Sequence, residues 1–462
     1  MSIKRKCSSS QPEMWIPTAT MAKSPGHPFY ERLNGLLREH RFDSWVEGLC
    51  EEFYAKTGRG SVPPGVYFRM LFIGYFESIP SNRQIEWRCQ DSLSLRAFLG
   101  LSLEERVPDH SSLTKIRDRF GLEVHQRVFR WVVSVLGDEK LLDGKTVGID
   151  STTLAADASM KTIRRKDNGQ SYPEYLSEIF EEEDGSKPDA PTKTRKDRKR
   201  RKTLSNQEWS SPTDPEAGIT RMKDGSTKVA HKVEHAVDLS GHGAVTAVTV
   251  HPGHHGDTKT VKETFNQAEL NTAVGKQDLV PIEEIVADKG YHSDEVLEEM
   301  EQNAQVRTYI PAPEGKRNWE GKPEERRRYR NNRARTKRTY GKTIMRKRGE
   351  LVERSFQHLY DRGGQKRRTT FRGTEKVLTD CLMKAAAFNL GLVLRVRFGY
   401  GAPKTMANGF KDKTKHILMN AFCNLKRVLD LLRAFWNGNW RFKSSIVSAA
   451  ASADFQNFQA TA

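Results

Sequence analysis

Residues 145–150 read KTVGID, a short apolar run that ends in an aspartate. Runs of this length before a polar turn are typical of buried strands. Further along, residues 228–239 (KVAHKVEHAVDL) alternate strictly, residues 240–243 (SGHG) can turn, and residues 244–251 are apolar again, which predicts a hairpin. Other patterns indicate helices at 257–270, 293–302, 349–360 and 375–395, and strands at 283–290 and 306–313. The centre of the chain is therefore predicted to be a mixed α/β domain.

The rest of the chain divides around this domain, which we place at residues 145–400. Residues 27–136 show apolar residues at three- and four-residue steps, with Gly121 where a helix can stop, so we predict an amino-terminal helical domain. Residues 1–26 are expected to be a loose leader. Residues 401–462 are expected to hold a linker, an amphipathic helix and a frayed tail.

The charge balance favours a polyanionic partner. Lys and Arg number 77 against 59 Asp and Glu, a formal net charge of +18, which points to nucleic acid before an anionic membrane. Basic runs lie at residues 193–202, inside a charged insertion at 164–217, and at residues 326–338. Such runs are usually solvated loops or helices. The two basic runs flank the predicted strands. Tyr329 lies within the second run and Tyr340 follows it. We therefore expect both basic runs to contact DNA phosphate.

Several classes of protein are disfavoured. The most apolar run, residues 385–396, contains Asn389 and is shorter than the roughly 18 residues of a membrane span. Residues 1–15 have no apolar segment, so we expect no secretory signal. The five cysteines are scattered and form no CxxC pair, which argues against a zinc site or a disulfide framework and fits a reducing cytoplasm.

Two acidic residues occupy equivalent positions. Asp150 and Asp288 each end an apolar strand-like run, VGID and IVAD, and ligands gather beyond the carboxyl ends of strands in α/β sheets. Glu353 lies on a predicted helix, whose Val352 and Phe356 would face inward together. Phosphodiester hydrolysis needs an activated nucleophile and a stabilised leaving oxygen, which two Mg²⁺ ions can supply. Mg²⁺ binds a few carboxylates plus substrate phosphate, as three such acids would allow. Taken singly, an aspartate that ends a strand, such as Asp150 or Asp288, is more simply explained as a turn residue.

Other chemistry-bearing residues receive plainer interpretations. His231, Glu234 and His235 match the HxxEH pattern of zinc peptidases, but that motif requires a helix. On a strand, residues four apart lie roughly 13 Å apart, too far to share one zinc. These histidines could lie near the active site, but they are explained at least as well as packed or exposed strand residues. The cluster formed by His251 and by His254 and His255 of the adjoining PGHHGD loop is expected to be solvated. Asp257 is explained by a helix N-cap.

Blocks of the sequence resemble bacterial insertion-sequence transposases of the DDE type. In the predicted α/β domain the blocks are residues 145–160, 197–202, 214–251, 256–260, 286–293 and 348–373, among them KTVGIDSTTLAADASM and RGELVERSFQHLYDRGG. In the helical domain they are residues 26–34, 67–88 and 108–120. The blocks follow the expected order. The resemblance implies a helical amino-terminal domain followed by a ribonuclease H-like mixed-sheet domain with a long insertion.

The resemblance also implies a mechanism. Asp150, Asp288 and Glu353 match the family's catalytic, metal-binding acids, which use two Mg²⁺ ions or Mn²⁺ in their place. Many relatives carry Lys seven residues after the Glu, where this chain has Tyr360. The implied partner is double-stranded DNA, namely the element's inverted terminal repeats and a target, bound by a homodimer or higher oligomer in a bacterial cytoplasm. Candidate DNA contacts are Arg346, Arg348, Arg354, Arg326, Arg328, Arg330, Lys115, Arg117 and Arg119.

The helical domain is expected to recognise the ends of the element, since a helix can read base edges in the major groove. Residues 108–121 are the candidate reader, although Leu113, Ile116 and Phe120 give them an apolar face equally suited to dimerisation or to covering the sheet. Two other functions remain open. One is a transposase-derived DNA-binding protein that no longer cleaves, and the other is a metal-dependent nuclease without strand transfer.

Overall fold

The computed structural model describes most of residues 26–406. The gaps are residues 56, 58–59, 185–188, 200–203, 223–224, 277–280, 304, 316 and 363–366. The predicted leader, the predicted carboxyl-terminal helix and the end of the first basic run therefore lie outside the described residues. The described residues through Pro403 belong to one compact unit.

The amino-terminal region is helical, as predicted. Its helices are α1 (Pro28–Glu39), α2 (Phe42–Cys50), α3 (Pro64–Phe76), α4 (Asn82–Gln90), α5 (Leu93–Leu99) and α6 (His110–Asp138). Helix α3 is buried on almost every side, and its Arg69 is paired with Asp43 at 2.6 Å. Asp109 caps α6 by accepting the Ser112 N–H at 2.8 Å. Gly121 has φ 61° and ψ −169°, so α6 is interrupted there but resumes, whereas the sequence indicated a stop.

The second region contains a mixed sheet. Its strands, with two short ones in the insertion, are β1 (Thr146–Ala155), β2 (Arg164–Arg165), β3 (Trp209–Ser210), β4 (Gly218–Arg221), β5 (Thr227–Asp238), β6 (Val245–Pro252), β7 (Glu284–Val286) and β8 (Arg307–Tyr309). Strand β1 lies in the middle, with β5 antiparallel on one side and β7 parallel on the other. Strand β8 follows β7 in parallel, and β4 and β6 share the far edge of β5.

Helices accompany these strands. They are α7 (Tyr172–Asp184), α8 (Ala190–Lys199), α9 (Asp257–Lys276), α10 (Asp294–Glu298), α11 (Pro323–Lys337), α12 (Thr339–Phe356) and α13 (Thr374–Phe398). Val261 and Phe265 of α9 pack in one core with Val147 and Ile149 of β1. Because side chains alternate along a strand, Asp150 points to the opposite face, where α12 packs. The predicted fold class, a helical region followed by a ribonuclease H-like mixed sheet, is confirmed.

The charged insertion differs in detail from its sequence-based description, whereas α13 agrees with it. The charged insertion was expected to be loops or solvated helices, but α7 packs Tyr172, Leu176 and Phe180 with Trp209 into a small core of its own. Helix α13 is long and apolar enough to cross a membrane by composition, yet 83% of its apolar window is buried. It is therefore a core helix, and the apolar side chains of residues 385–396 serve packing.

Two asparagines fix helices to the backbone of the sheet. Asn332 of α11 accepts the Ile310 N–H at 3.1 Å and donates to the Ile310 carbonyl at 2.6 Å, just after β8. Asn389 of α13 makes the same pair of bonds with Val245 at the start of β6, at 3.0 and 2.8 Å. Each amide satisfies a buried donor and a buried acceptor that would otherwise have no partner.

We predict that Asn332→Leu destabilises the protein by about 2–5 kcal/mol, because it leaves both backbone groups of Ile310 buried and unpaired. Chemical denaturation monitored by tryptophan fluorescence measures the loss. The matched control is Asn331→Leu, the exposed neighbour on the same helix, which should change stability by no more than about 0.5 kcal/mol. Equal losses in the two variants would contradict this account.

Candidate active site

Asp150 lies in the middle of the central strand. Its Oδ1 accepts the Ser151 N–H at 2.8 Å, and its Oδ2 accepts a bond from Arg348 of α12 at 2.6 Å. Burial raises the pKa of the Asp150 carboxyl, Arg348 lowers it, and the negative charge of Asp288 raises it again. The two aspartates are therefore close enough to repel each other.

The register between strands β1 and β7 brings Asp288 close to Asp150. Strands β1 and β7 are parallel, with Gly148 opposite Val286, and two further residues along each strand lead to Asp150 and Asp288. Neighbouring strands are about 4.8 Å apart. Asp288 follows the end of β7 and caps a short 3-10 turn, where its Oδ1 accepts the Lys289 N–H at 2.7 Å. The equivalent positions seen in the sequence are thus adjacent in the sheet.

A buried histidine holds α12 against this face. His235 of β5 is directly opposite Asp150, and burial lowers the pKa of His235 to about 3, so its imidazole is neutral. The Ser355 hydroxyl donates to the Val352 carbonyl at 2.7 Å, so His235 Nδ1 donates to Ser355 Oγ at 2.8 Å. His235 Nε2 then accepts from the Tyr360 hydroxyl at 2.6 Å.

These contacts explain the departure from the resemblance at Tyr360. That side chain is buried in the core beside His235, where it fixes the end of α12. Glu353 lies on the exposed side of the same helix, while Val352 and Phe356 are buried as the sequence indicated.

Arg367 contacts Glu353, as Arg348 contacts Asp150. Arg367 donates to Glu353 Oε1 at 2.6 Å, to Thr152 Oγ1 at 3.0 Å and to Asp361 Oδ2 at 3.1 Å. Thr152 is on β1 and shares the face of Asp150, so one guanidinium group connects Glu353 to the strand that carries Asp150. Sequence reasoning did not identify Arg367, because it is fourteen residues beyond Glu353 and nothing in its spacing links it to that residue.

The donor set suits a hard divalent cation. It consists of carboxylate oxygens, two of them on adjacent strands and mutually repelling, which a cation between them would stabilise. In the described residues, the one group of potential ligands with atoms within 4.8 Å of one another is instead Glu39, His40 and Glu139. Arg397 pairs with both of those glutamates, which makes that group an ion-pair cluster.

The arginines adjoining the triad have different surroundings. Arg346 is exposed. Arg354 is half-buried and donates to the His242 carbonyl at 2.8 Å. Arg348 reaches Asp150 by crossing Gly148, where an added Cβ would lie 3.0 Å from Arg348 Cγ and 2.8 Å from Leu239 Cδ2. Gly148 therefore leaves the space in which α12 and Arg348 approach the central strand.

The arginines of α11, which lie farther from the three carboxylates and were also expected to contact DNA, divide into exposed and buried groups. Arg326, Arg330 and Arg333 are exposed on α11. Together with aromatic side chains they line an open cavity of about 420 Å³, whose walls include Trp319, Arg326, Tyr329, Arg330, Arg333 and Lys337. Arg328 faces the interior and pairs with Glu298 at 3.3 Å. The Tyr340 hydroxyl is also engaged within the protein, since it donates a hydrogen bond to Glu284 at 2.6 Å.

The helical domain shows the same division. Lys115 is exposed on α6, and Arg119 is exposed and stacks on Tyr54. Arg117 is 6% exposed and stacks on Phe371 at 4.4 Å. Arg117 and Arg328 were expected to contact DNA, but neither is accessible in this structure, because each contributes to packing between elements.

The HxxEH residues lie on a strand, so they do not form the helical zinc motif. His231 Nε2 is 2.8 Å from Asp214 Oδ2, and both side chains are fully buried. Asp257 begins α9, but its side chain also pairs with Lys232 at 2.7 Å, a contact that the N-cap interpretation did not include. His251 is buried, while His254 and His255 are exposed as expected.

Comparison with known families gives two matches. Residues 19–119 match the family described as "Transposase domain (DUF772)", and residues 185–390 match the family described as "Transposase DDE domain". No curated protein sequence matches the chain. The second match contains Asp288 and Glu353, and Asp150 precedes its first residue.

We predict that Gly148→Ala destabilises the protein by about 1–3 kcal/mol, the usual cost of overpacking, because Leu239 and Arg348 must shift. The control is Gly349→Ala, an exposed position of α12 with nothing within 4 Å of an added Cβ. That change should raise stability by about 0.5–1 kcal/mol through helix propensity. Urea denaturation of both variants checks the opposite signs, and two changes of the same sign would count against the close approach at Gly148.

Proposed function

Because the chain belongs to the transposases with a DDE domain, we propose that it is an active transposase with Asp150, Asp288 and Glu353 as its catalytic carboxylates. The observation that carries this proposal is the parallel register of β1 and β7, which brings Asp150 and Asp288 side by side. Asp150, Asp288 and Glu353 would together hold two divalent ions. Such a pair of Mg²⁺ or Mn²⁺ ions supplies an activated nucleophile and stabilises the leaving oxygen.

The proposed reaction has two steps of the same type. In the first, water attacks the phosphorus at an end of the element, the bond to the 3′ oxygen breaks, and that oxygen gains a proton to become a free 3′-hydroxyl. In the second, this hydroxyl attacks a phosphorus of the target, and the target's own 3′ oxygen leaves. The role of the protein is to hold the reacting groups in line, because phosphoryl transfer depends mainly on positioning and charge stabilisation.

Arg348 and Arg367 are proposed to contact the scissile phosphate. Both guanidinium groups already lie at the carboxylates, at 2.6 Å from Asp150 and Glu353 respectively. An arginine can bind a phosphate with two parallel bonds. Arg346 lies farther along the exposed part of α12 and would contact the adjoining backbone. Arg354, which donates to a backbone carbonyl, is a weaker candidate.

The exposed face of α11 is proposed as part of the DNA path. Its arginines and Lys337 supply charge, and Trp319 and Tyr329 supply aromatic surface in the same cavity. Lys115 and Arg119 on α6 are proposed to contact the ends of the element. We further propose that the protein acts in a bacterial cytoplasm as a homodimer or higher oligomer on DNA. The two other candidates are an inactive DNA-binding derivative and a nuclease without strand transfer.

We expect Glu353→Gln and Asp288→Asn each to reduce DNA cleavage more than about a hundredfold, since losing even an outer-shell partner of a metal ligand costs about 10–100-fold. DNA binding should persist. The substrate is linear DNA carrying the sequences that flank the gene at both ends, incubated with Mg²⁺ and a target plasmid. Cleaved ends and joined products are measured separately. The matched control is Glu350→Gln, an exposed glutamate on the same helix, which should cleave as the unaltered protein does.

The same assay distinguishes the alternatives. Cleavage without joined products would support the nuclease, and binding without cleavage by the unaltered protein would support the inactive derivative. If Glu350→Gln and Glu353→Gln were equally active, the assignment of the triad would be wrong.

We expect replacement of Arg326, Arg330 and Arg333 by Gln to weaken DNA binding and to lower the slope of log K against log salt by about 0.9 for each phosphate that is no longer bound. A salt titration monitored by fluorescence anisotropy measures that slope. The control is Arg327→Gln on the same helix, whose guanidinium group pairs with Glu324 at 2.9 Å, and it should change the slope less. A slope unchanged by the triple substitution would mean that α11 is only a solvated surface.

A further inference from the structure

Two charged side chains of the HxxEH segment are buried behind the candidate active site. Lys232 and Glu234 are 4% and 0% exposed, and they lie on the face of β5 opposite to His235. Lys232 Nζ is 2.8 Å from Glu234 Oε1. Removing two charges from water is costly, and such a pair is often no more stabilising than apolar residues of similar volume. Stability alone therefore does not account for them.

The pair is joined to the start of α9. Lys232 Nζ contacts Asp257 Oδ1 at 2.7 Å and donates to Thr260 Oγ1 at 2.8 Å. The Thr264 hydroxyl donates to Glu234 Oε2 at 2.6 Å. We call these five residues the buried ion cluster, although the Asp257 side chain at its edge is partly exposed.

The buried ion cluster contacts both elements that carry the aspartates. Ser151, which follows Asp150 on β1, donates to Asp257 Oδ1 at 3.2 Å. Tyr291, at the end of the 3-10 turn that Asp288 begins, donates to Glu234 Oε1 at 3.1 Å.

The same turn is also packed closely against the cluster. A Cβ added at Gly290 would lie 2.5 Å from Asp257 Oδ2. A side chain at position 290 would therefore displace the Asp257 carboxylate from its present position. The cluster consequently contacts the residue after Asp150 on one side and the two residues at the end of the Asp288 turn on the other.

We propose that the buried ion cluster is a positioning device that sets the separation of Asp150 and Asp288, with Lys232, Glu234 and Asp257 as positioning residues. This proposal rests on the proposed function, because the separation matters only if the two aspartates share divalent ions. Ser151 and Tyr291 transmit the position of the cluster to the two aspartates. Neither of them needs to touch the metal ions or DNA.

The opposite end of the same two strands offers a matched reference. Glu284, at the start of β7, is also a buried carboxylate. It accepts bonds from Thr146 of β1 at 3.0 Å, from Tyr309 at 3.1 Å and from Tyr340 at 2.6 Å. Tyr291→Phe removes the hydrogen bond from Tyr291 to Glu234, and Tyr309→Phe removes the hydrogen bond from Tyr309 to Glu284. Both bonds are buried and both are 3.1 Å long. The Tyr291 bond lies at the end of the strands that carries Asp150 and Asp288, and the Tyr309 bond lies at the opposite end.

The experiment compares these two variants of the full-length protein. Mn²⁺ binding is titrated by electron paramagnetic resonance without DNA, urea denaturation measures folding, and cleavage kinetics on DNA bearing the gene-flanking ends give kcat and KM. We expect similar shifts in the urea midpoint for both variants. Tyr291→Phe should weaken Mn²⁺ binding about 10–100-fold and lower kcat with KM for DNA unchanged. Tyr309→Phe should bind Mn²⁺ within about twofold of the unaltered protein.

Equal Mn²⁺ affinities in the two variants would overturn the positioning role, whether both were normal or both were weakened. If Tyr291→Phe proved unfolded, Ser151→Ala replaces it and tests the contact on the β1 side with the same expected loss. Asp288→Asn separates this proposal from the one on which it rests. If that variant binds Mn²⁺ as well as the unaltered protein does, the proposed metal site itself is wrong. If it loses Mn²⁺ while Tyr291→Phe retains it, only the positioning role fails.

Discussion

The hydrogen bonding of β1 along both of its edges is the constraint on which the rest of the site depends. Its antiparallel partner β5 places His235 opposite Asp150, and its parallel partner β7 leads to Asp288 at the same level. A shift of either register by one residue would turn the side chains to the other face. Helix α12, and with it Glu353, is then held against this face of the sheet through the neutral imidazole of His235 on β5.

Much of this arrangement is predictable from local patterns. The apolar runs that end in Asp150 and Asp288 identify buried strands, and alternation over residues 228–239 identifies β5, because burial of one or both faces determines which residues a strand can carry. The pairing order of the strands and the docking of α12 are not local properties. The buried roles of Arg117 and Arg328 could not be predicted for the same reason: exposure of a helix residue depends on partners that are distant in sequence, here Phe371 and Glu298.

The segment HKVEH shows how strand geometry changes the meaning of a motif. On a helix His231 and His235 would share a face with one metal, whereas on β5 they lie four residues apart along one face and contact Asp214 and α12 separately. The two charged residues between them point to the other face and pair with α9. Strict alternation was visible in the sequence, but the partners that make buried Lys232 and Glu234 tolerable were not, since a sequence pattern carries no information on what covers a sheet.

The two arginines at the carboxylates also bear on how the protein folds. Arg348 and Arg367 balance the charge of Asp150 and Glu353 from within the chain. Folding therefore needs no divalent ion for electroneutrality at this position, in contrast to small metal-dependent domains that unfold when chelated. A divalent ion held by these carboxylates, as proposed above, would displace the two guanidinium groups. Its effect on the free energy of unfolding would then be the difference between two sets of ionic contacts. If the proposed ions bind here, removing them with a chelator would leave the chain folded, with the two guanidinium groups in contact with the carboxylates.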